Sequence, residues 1–113
     1  MATIYKIFRS LEYQNFLAHG ETEGAPVDLA DGYVHMSTRD QVEETAAKHF
    51  AGEDDLKLLA LDPGALGDAL KWERSRGGAL FPHLYRTMTA GDVLWAKDLP
   101  LVEGKHDFTG MLS

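Results

Sequence analysis

Two short stretches of this sequence place a histidine among hydrogen-bonding or aromatic side chains. In residues 32–38 polar and apolar residues alternate, so an extended chain presents three polar side chains on one face: Tyr33, His35 and Ser37. Histidine changes charge near neutral pH and can donate or accept hydrogen bonds. His35 is therefore a candidate to orient a substrate hydroxyl or to act as a base. The alternative is a core histidine bonded to the backbone.

The same alternation returns in residues 80–86, where one face carries Phe81, His83 and Tyr85. Arg86 ends this stretch and has two interpretations: a partner for a ring or a phosphate, or a solvated strand end. Between the two stretches lies Glu73, directly after Trp72. A carboxylate beside bulky apolar groups can have a raised pKa and serve as an acid, a base or an electrostatic stabiliser. The alternative for Glu73 is a surface ion pair with a neighbouring Lys or Arg.

A helix start follows the first histidine stretch. Thr38 and Gln41 have the spacing of a capping box, with Thr38 as the cap and Ser37 as the alternative cap. The free N–H groups and the positive dipole end at a helix start attract phosphate or carboxylate groups. Ser37 and Thr38 are therefore candidates to support a ligand bound at His35.

The elements that would carry these residues follow from residue type and periodicity. Runs of β-branched, aromatic or apolar residues predict strands near 3–8, 33–37, 56–62, 70–74, 80–86 and 93–97. Helical spacing predicts two short helices, 11–19 and 38–50, and a single helical turn at 63–66; residues 20–31 and 75–78 are predicted as loops. Pro82 has no amide hydrogen, so its strand is expected to lie at a sheet edge or to start after Pro82. The helices do not alternate regularly with the strands, which indicates an α+β protein with a mixed or antiparallel sheet bent around a cleft.

Length and charge limit the classes of function. The 113 residues fit a single domain, 1–113. A net charge of −7 argues against binding to nucleic acid or to an anionic membrane. The N-terminal residues have no signal-peptide pattern, and no apolar run approaches the ~20 residues of a membrane span. We therefore expect a cytoplasmic protein with a small-molecule ligand, and both monomer and dimer stay open.

The absence of cysteine excludes thiolate chemistry. A zinc site would need histidine and carboxylate ligands only, and His35, His83 and Glu73 are an accepted set. Their spacing matches no metal-binding motif, so no metal site is predicted.

Three stretches together resemble one small bacterial family, known as "domain of unknown function" number 952. They are Gly32–Thr38 followed by Gln41, the pair Trp72–Glu73, and Leu80–Tyr85. The opening residues 4–7 are also similar to the first strand of that family. Many members have Gly after the last Tyr, where this chain has Arg86, so the resemblance supports no role for Arg86.

The resemblance implies a fold like that of ADP-ribosyltransferases and RNA 2′-phosphotransferases, in which a split, bent sheet holds NAD or ADP-ribose in a cleft. It implies that His35 hydrogen-bonds a ribose or phosphate and that Glu73 stabilises positive charge at a ribose carbon, as the catalytic residues. The implied binding residues are Ser37, Thr38, Trp72, His83 and Tyr85. Two other functions stay open: a non-catalytic binding module for a small metabolite, and a structural domain whose histidines are satisfied internally.

Overall fold

A computed structural model describes residues 2–74 and 78–112. Most of the predicted loop at 75–78 lies outside the described residues. The larger sheet has the strand order β4-β1-β5-β9, with β1 (Ile4–Arg9), β4 (Ser37–Thr38), β5 (Leu56–Leu61) and β9 (Val93–Leu99). A second sheet has the order β3-β7-β6, with β3 (Val34–His35), β7 (Leu80–Leu84) and β6 (Leu70–Arg74).

Two small ribbons complete the strands. They pair β2 (Glu21–Thr22) with β8 (Met88–Thr89), and β10 (Leu101–Val102) with β11 (Lys105–His106). Every strand pair within 2–74 and 78–112 is antiparallel. The α+β prediction is confirmed, and of its two sheet types the chain adopts the antiparallel one.

The described part of the chain forms four short α-helices, where two were predicted. They are α1 (Ser10–His19), α2 (Pro26–Asp31), α3 (Arg39–His49) and α4 (Pro63–Leu66). The turn α4 was predicted, but α2 lies in the predicted loop 20–31. Its six residues are too few for a helical period, and Pro26 at its first position supplies the fixed φ angle of a helix start. No helix among the described residues is long and apolar enough to cross a membrane.

The hydrophobic core consists of two clusters on opposite faces of the larger sheet. Ile4 and Phe8 of β1 belong to one cluster, and Tyr5 and Ile7 to the other. This alternation shows that β1 is covered on both faces. The first cluster also includes Val34 and Leu84 of the second sheet, and Met36, which follows β3. It therefore fills the space between the two sheets and holds them together.

The predicted strand 33–37 is split where the chain changes sheets. β3 pairs with β7 in the second sheet, whereas β4 pairs with β1 in the first. Met36 lies between them, and its N–H donates to the carbonyl of Pro82 at 3.0 Å. Both positions predicted for the strand of Pro82 are wrong, since β7 is the central strand and begins at Leu80, before Pro82. Because the nitrogen and carbonyl of one residue point to the same side of a strand, the missing N–H of Pro82 faces the point where β3 ends.

Candidate functional site

Asp28 of α2 is the buried centre of a hydrogen-bond network. It is 1% exposed. Its Oδ2 accepts hydrogen bonds from Lys6 Nζ and from the backbone N–H of Ala25, both at 2.7 Å. Its Oδ1 accepts from the His35 backbone N–H at 2.9 Å and from His35 Nδ1 at 2.6 Å. These bonds replace the water that a buried carboxylate has lost, and they tie α2 to β1 and β3.

The charged state of Asp28 depends on this network. Burial acts to raise the pKa of the carboxyl, but the hydrogen bond from His35 and the charge and hydrogen bond of Lys6 outweigh it and lower the pKa. Lys6 also donates to the backbone carbonyl of His35 at 2.9 Å. The buried ammonium and carboxylate are therefore both satisfied by defined partners.

His35 bridges two carboxylates. Its Nδ1 donates to buried Asp28, while Nε2 lies 2.9 Å from Oδ2 of Asp31, which is 45% exposed. A carboxylate only accepts hydrogen bonds, so the contact with Asp28 places a hydrogen on Nδ1. Asp28 thus fixes the ring, and Nε2 is the atom directed at the more open side.

His35 belongs to a group of four packed rings. Tyr33 stacks on His83, with centroids 4.2 Å apart, and lies 4.6 Å from His35 and 5.1 Å from Tyr85. The His35 and His83 rings meet edge to face at 5.4 Å. Their register explains the contact, because His35 is paired directly with His83 across β3 and β7. We call Tyr33, His35, His83 and Tyr85 the aromatic group.

Glu73 lies on the far side of this group and binds two of its members. Its Oε1 accepts from His83 Nδ1 at 2.9 Å and from the Tyr85 hydroxyl at 2.6 Å. Hydrogen bonds from Tyr85 and His83 lower the pKa of Glu73. The hydrogen bond between Tyr85 and Glu73 also raises the pKa of Tyr85 to about 12. Glu73 therefore stays ionised and Tyr85 neutral at physiological pH, with the carboxylate orienting His83.

A cleft of about 560 Å³ opens beside the aromatic group. His35, Ser37 and His83 line it, together with Asp31 and Tyr33. The cationic side chains on its wall are Lys6, Arg9 and Lys48. Each has an acidic partner, namely Asp28, Glu53 and Glu44 respectively. The wall thus combines rings, hydroxyl groups and neutralised charges.

The predicted site residues divide into two groups. His35, Ser37 and His83 belong to the cleft wall, whereas the wall formed by the described residues does not include Thr38, Trp72, Glu73 or Tyr85. Ser37 Oγ lies 3.1 Å from Thr45 Oγ1. Thr38 precedes α3, and Gln41 accepts its N–H at 3.0 Å as predicted. Trp72 is 45% exposed on β6. Tyr85 packs against Tyr33 of the cleft wall, and Glu73 is hydrogen-bonded to Tyr85 behind it.

Sequence reasoning missed the acidic and basic partners of His35. Asp28 and Asp31 were assigned no role because no helix was predicted at 26–31, and Lys6 was assigned none although its strand was predicted. The available signal was Ala25-Pro26, which is typical of a helix start and places Asp28 in the first turn. Arg86 is not a solvated strand end: its guanidinium binds both carboxylate oxygens of Asp92, at 2.8 and 2.9 Å.

Within residues 2–74 and 78–112, no group of three or more His, Cys, Asp or Glu residues could hold a metal ion. The Nδ1 atoms of the two histidines in the aromatic group are instead hydrogen-bonded to Asp28 and Glu73. The chemistry available in the cleft is hydrogen bonding, ring stacking and acid–base chemistry at His35.

The sequence matches the family described as "Protein of unknown function (DUF952)" over residues 7–96. Among solved structures, the crystal structure of protein CC0527 from Caulobacter crescentus is 48% identical, with 94% of each chain covered and a TM-score of 0.90. The solution NMR structure of CC0527 is also 48% identical, covers 94% of this chain and 91% of that chain, and has a TM-score of 0.84. No curated protein matches this sequence. The matched residues 7–96 include His35, Glu73 and His83.

Proposed function

This chain belongs to the DUF952 family, and we propose that its cleft binds a nucleotide of the NAD or ADP-ribose class. The orientation of His35 is the observation that carries the proposal. Buried Asp28 holds Nδ1, and this leaves Nε2 as the ring nitrogen that can contact a ligand on the cleft side. A ring nitrogen held in this way suits a ribose hydroxyl, which can donate or accept a hydrogen bond, and in the protonated ring it suits a phosphate oxygen.

The aromatic group supports the same class of ligand. Tyr33 and His83 belong to the cleft wall. An adenine or nicotinamide ring stacks favourably on an aromatic face. Ser37 offers a hydroxyl on the same wall. One cleft therefore combines a surface for a planar ring with donors for the sugar and phosphates.

The dimensions and the split of the two sheets are further support. A volume of about 560 Å³ lies inside the range of roughly 300–1,000 Å³ for small-molecule sites. The chain changes sheets at Met36, between His35 and Ser37, so the proposed ligand would contact residues of both sheets. An ADP-ribosyltransferase-like fold is part of this proposal, and the division into two sheets beside a cleft supports it.

Transfer of ADP-ribose from NAD is the second candidate function, with His35 and Glu73 as its catalytic residues. The observation that favours it is an ionised Glu73 only one side chain away from the cleft, bound to His83. In the binding-only alternative Glu73 merely orients His83 and Tyr85. Incubation with NAD separates the two: release of nicotinamide supports transfer, and binding without release supports the binding module.

Calorimetric titration with NAD and with ADP-ribose tests the proposal. We expect His35→Ala to weaken binding at least about tenfold, because a hydrogen bond to a charged group contributes about 1.5–3 kcal/mol. The matched control is His19→Ala on α1, whose ring bonds to the carbonyl of Asn15. Wild-type protein that binds neither compound at millimolar concentration, or equal affinity in His35→Ala, would overturn the proposal.

A further inference from the structure

The ring nitrogen of His35 that would contact the proposed ligand, Nε2, already lies beside a carboxylate oxygen. Asp31 Oδ2 lies 2.9 Å from His35 Nε2, and both residues line the cleft. We propose that the Asp31 carboxylate is an internal substitute for a phosphate group of the ligand, and that it must leave Nε2 before the ligand binds. The inference rests on the proposed function, because it identifies the ligand group that the same cleft recognises.

The two carboxylates at His35 differ in how firmly they are held. Asp28 is 1% exposed and accepts four hydrogen bonds, from Lys6, from Ala25 and two from His35. The Asp31 side chain is 45% exposed and meets His35 from the solvent side. Replacing Asp28 would break the interior network, whereas displacing Asp31 returns an ionised group to water, where it is well solvated. Asp31 is therefore the carboxylate that a ligand can replace.

The position of Asp31 allows it to leave without rearranging the backbone. It is the last residue of α2, and the following Gly32 caps the helix at φ 85° with its N–H bonded to the carbonyl of Asp28. The main chain is thus fixed through Asp28. Rotation of an exposed side chain takes picoseconds to nanoseconds. The exchange between an occupied and a free Nε2 is then fast compared with ligand binding.

This arrangement selects ligands by charge. A group that replaces the Asp31 carboxylate, 2.9 Å from Nε2, must itself be a strong, negatively charged acceptor. A pyrophosphate oxygen meets that condition, whereas a neutral nucleoside would replace the contact with a carboxylate by a weaker one. We therefore expect ADP-ribose and inorganic pyrophosphate to compete with Asp31, and adenosine to compete poorly.

Titration of ADP-ribose, inorganic pyrophosphate and adenosine into wild-type protein and Asp31→Ala tests the inference. Removing the internal competitor raises the fraction of protein with a free Nε2, so we expect the two phosphate compounds to bind about tenfold more tightly. Adenosine should gain less than about twofold. The matched control is Glu43→Ala on α3, which removes the same charge from an exposed position outside the cleft wall.

A spectroscopic measurement follows the displacement directly. Long-range imidazole ¹H–¹⁵N spectra record the chemical shift of His35 Nε2. We expect this shift to change in Asp31→Ala and to return towards its wild-type value when pyrophosphate is added. Asp31→Asn keeps the size of the side chain and replaces Asp31→Ala in the titration if the alanine variant folds differently. We expect it to give an intermediate gain in affinity.

The outcomes distinguish this inference from the proposed function. If ADP-ribose binds wild type and Asp31→Ala equally, the function stands and the competitor role of Asp31 is overturned. If Asp31→Ala weakens binding, Asp31 contacts the ligand and the inference is again overturned. If ADP-ribose binds neither protein but pyrophosphate binds Asp31→Ala more tightly than wild type, the proposed nucleotide is wrong and the phosphate site at His35 is supported.

Discussion

Lys6 and Asp28 place two opposite charges in the interior, 2.7 Å apart. An ion keeps its charge there only when a partner and hydrogen bonds replace its water. The pair has both, because each member also bonds to the backbone, at His35 and at Ala25. The same Asp28 oxygen atoms fix His35, so stability of the interior and orientation of the candidate site depend on one carboxylate.

Asp28→Asn should therefore destabilise the protein by about 3–5 kcal/mol, the cost of breaking a buried ion pair from one side. Asparagine matches the shape of aspartate, but its NH₂ would face donors at Lys6 or His35. Urea unfolding followed by circular dichroism measures the change. The matched control is Asp54→Asn at an exposed position, for which we expect a change within about 0.5 kcal/mol. Equal unfolding midpoints for the two variants would contradict the prediction.

The pH dependence of this difference has a defined sign. The folded-state pKa of Asp28 lies below its ordinary value of 3.8. The folded state therefore favours the ionised form, and the contribution of the carboxylate is fully present above the unfolded-state pKa. It is lost as the pH falls from about 4 through the lowered folded-state pKa. We expect the stability gap between wild type and Asp28→Asn to stay constant from pH 7 to about pH 5 and to shrink below about pH 4. A gap that widens on acidification would contradict the assignment.

Among the elements, α2 has the most local influence on the site, because it carries both carboxylates that bind His35. Its entry depends on Gly24, which has a φ of 109°. A Cβ added at Gly24 would lie 2.5 Å from the Cβ of Asp28. The close approach of this turn to α2 thus requires a residue without a side chain.

Gly24→Ala should destabilise the protein by roughly 2–4 kcal/mol, through backbone strain and displacement of Asp28. Gly52→Ala is the matched control, since Gly52 has a φ of 72° but no heavy atom within 4 Å of an added Cβ. That control should cost only about 1–2 kcal/mol of backbone strain. Urea unfolding of both variants measures the difference. Similar losses would indicate that crowding at Asp28 contributes nothing.

The predictable elements are those with a period or a local cap. Periodicity located α1 and α3, and Thr38 with Gln41 located the start of α3. The helix α2 escaped because six residues make less than two turns, and its anchor, buried Asp28, depends on Lys6, which is 22 residues away in sequence. Long-range contacts of this kind leave no periodic signal.

The alternation of residue types along the strands predicted the aromatic and histidine residues of the site but not how they are arranged. Tyr33 and His35 were predicted on one strand face and His83 on a face of another strand, and the antiparallel register of β3 and β7 brings them together. The change of sheet at Met36 was not predictable, because Val34 and Met36 alternate as they would in one continuous strand. Only the pairing partners distinguish β3 from β4.

At the scale of the whole molecule, the cleft depends on the two sheets staying together. The first core cluster combines Ile4 and Leu59 of the larger sheet with Val34 and Leu84 of the smaller one. The described residues have a radius of gyration of 13.1 Å, close to the ~13 Å of a single domain of this length. Separating the sheets would expose this cluster to water, so we propose that they unfold as one cooperative unit.

The two tryptophans test that cooperativity, because each reports on one sheet. Trp72 lies on β6 of the smaller sheet, and Trp95 lies on β9 of the larger sheet, with its ring 6.1 Å from that of Tyr5. In Trp95→Phe the fluorescence comes from Trp72 alone, and in Trp72→Phe from Trp95 alone. We expect the fluorescence and circular dichroism transitions in urea to coincide within each variant, since a shared core unfolds in one step. A fluorescence midpoint for Trp72 that precedes the circular dichroism midpoint would mean that the smaller sheet, which carries His35 and His83, opens on its own. The cleft would then exist only while two independent units are docked.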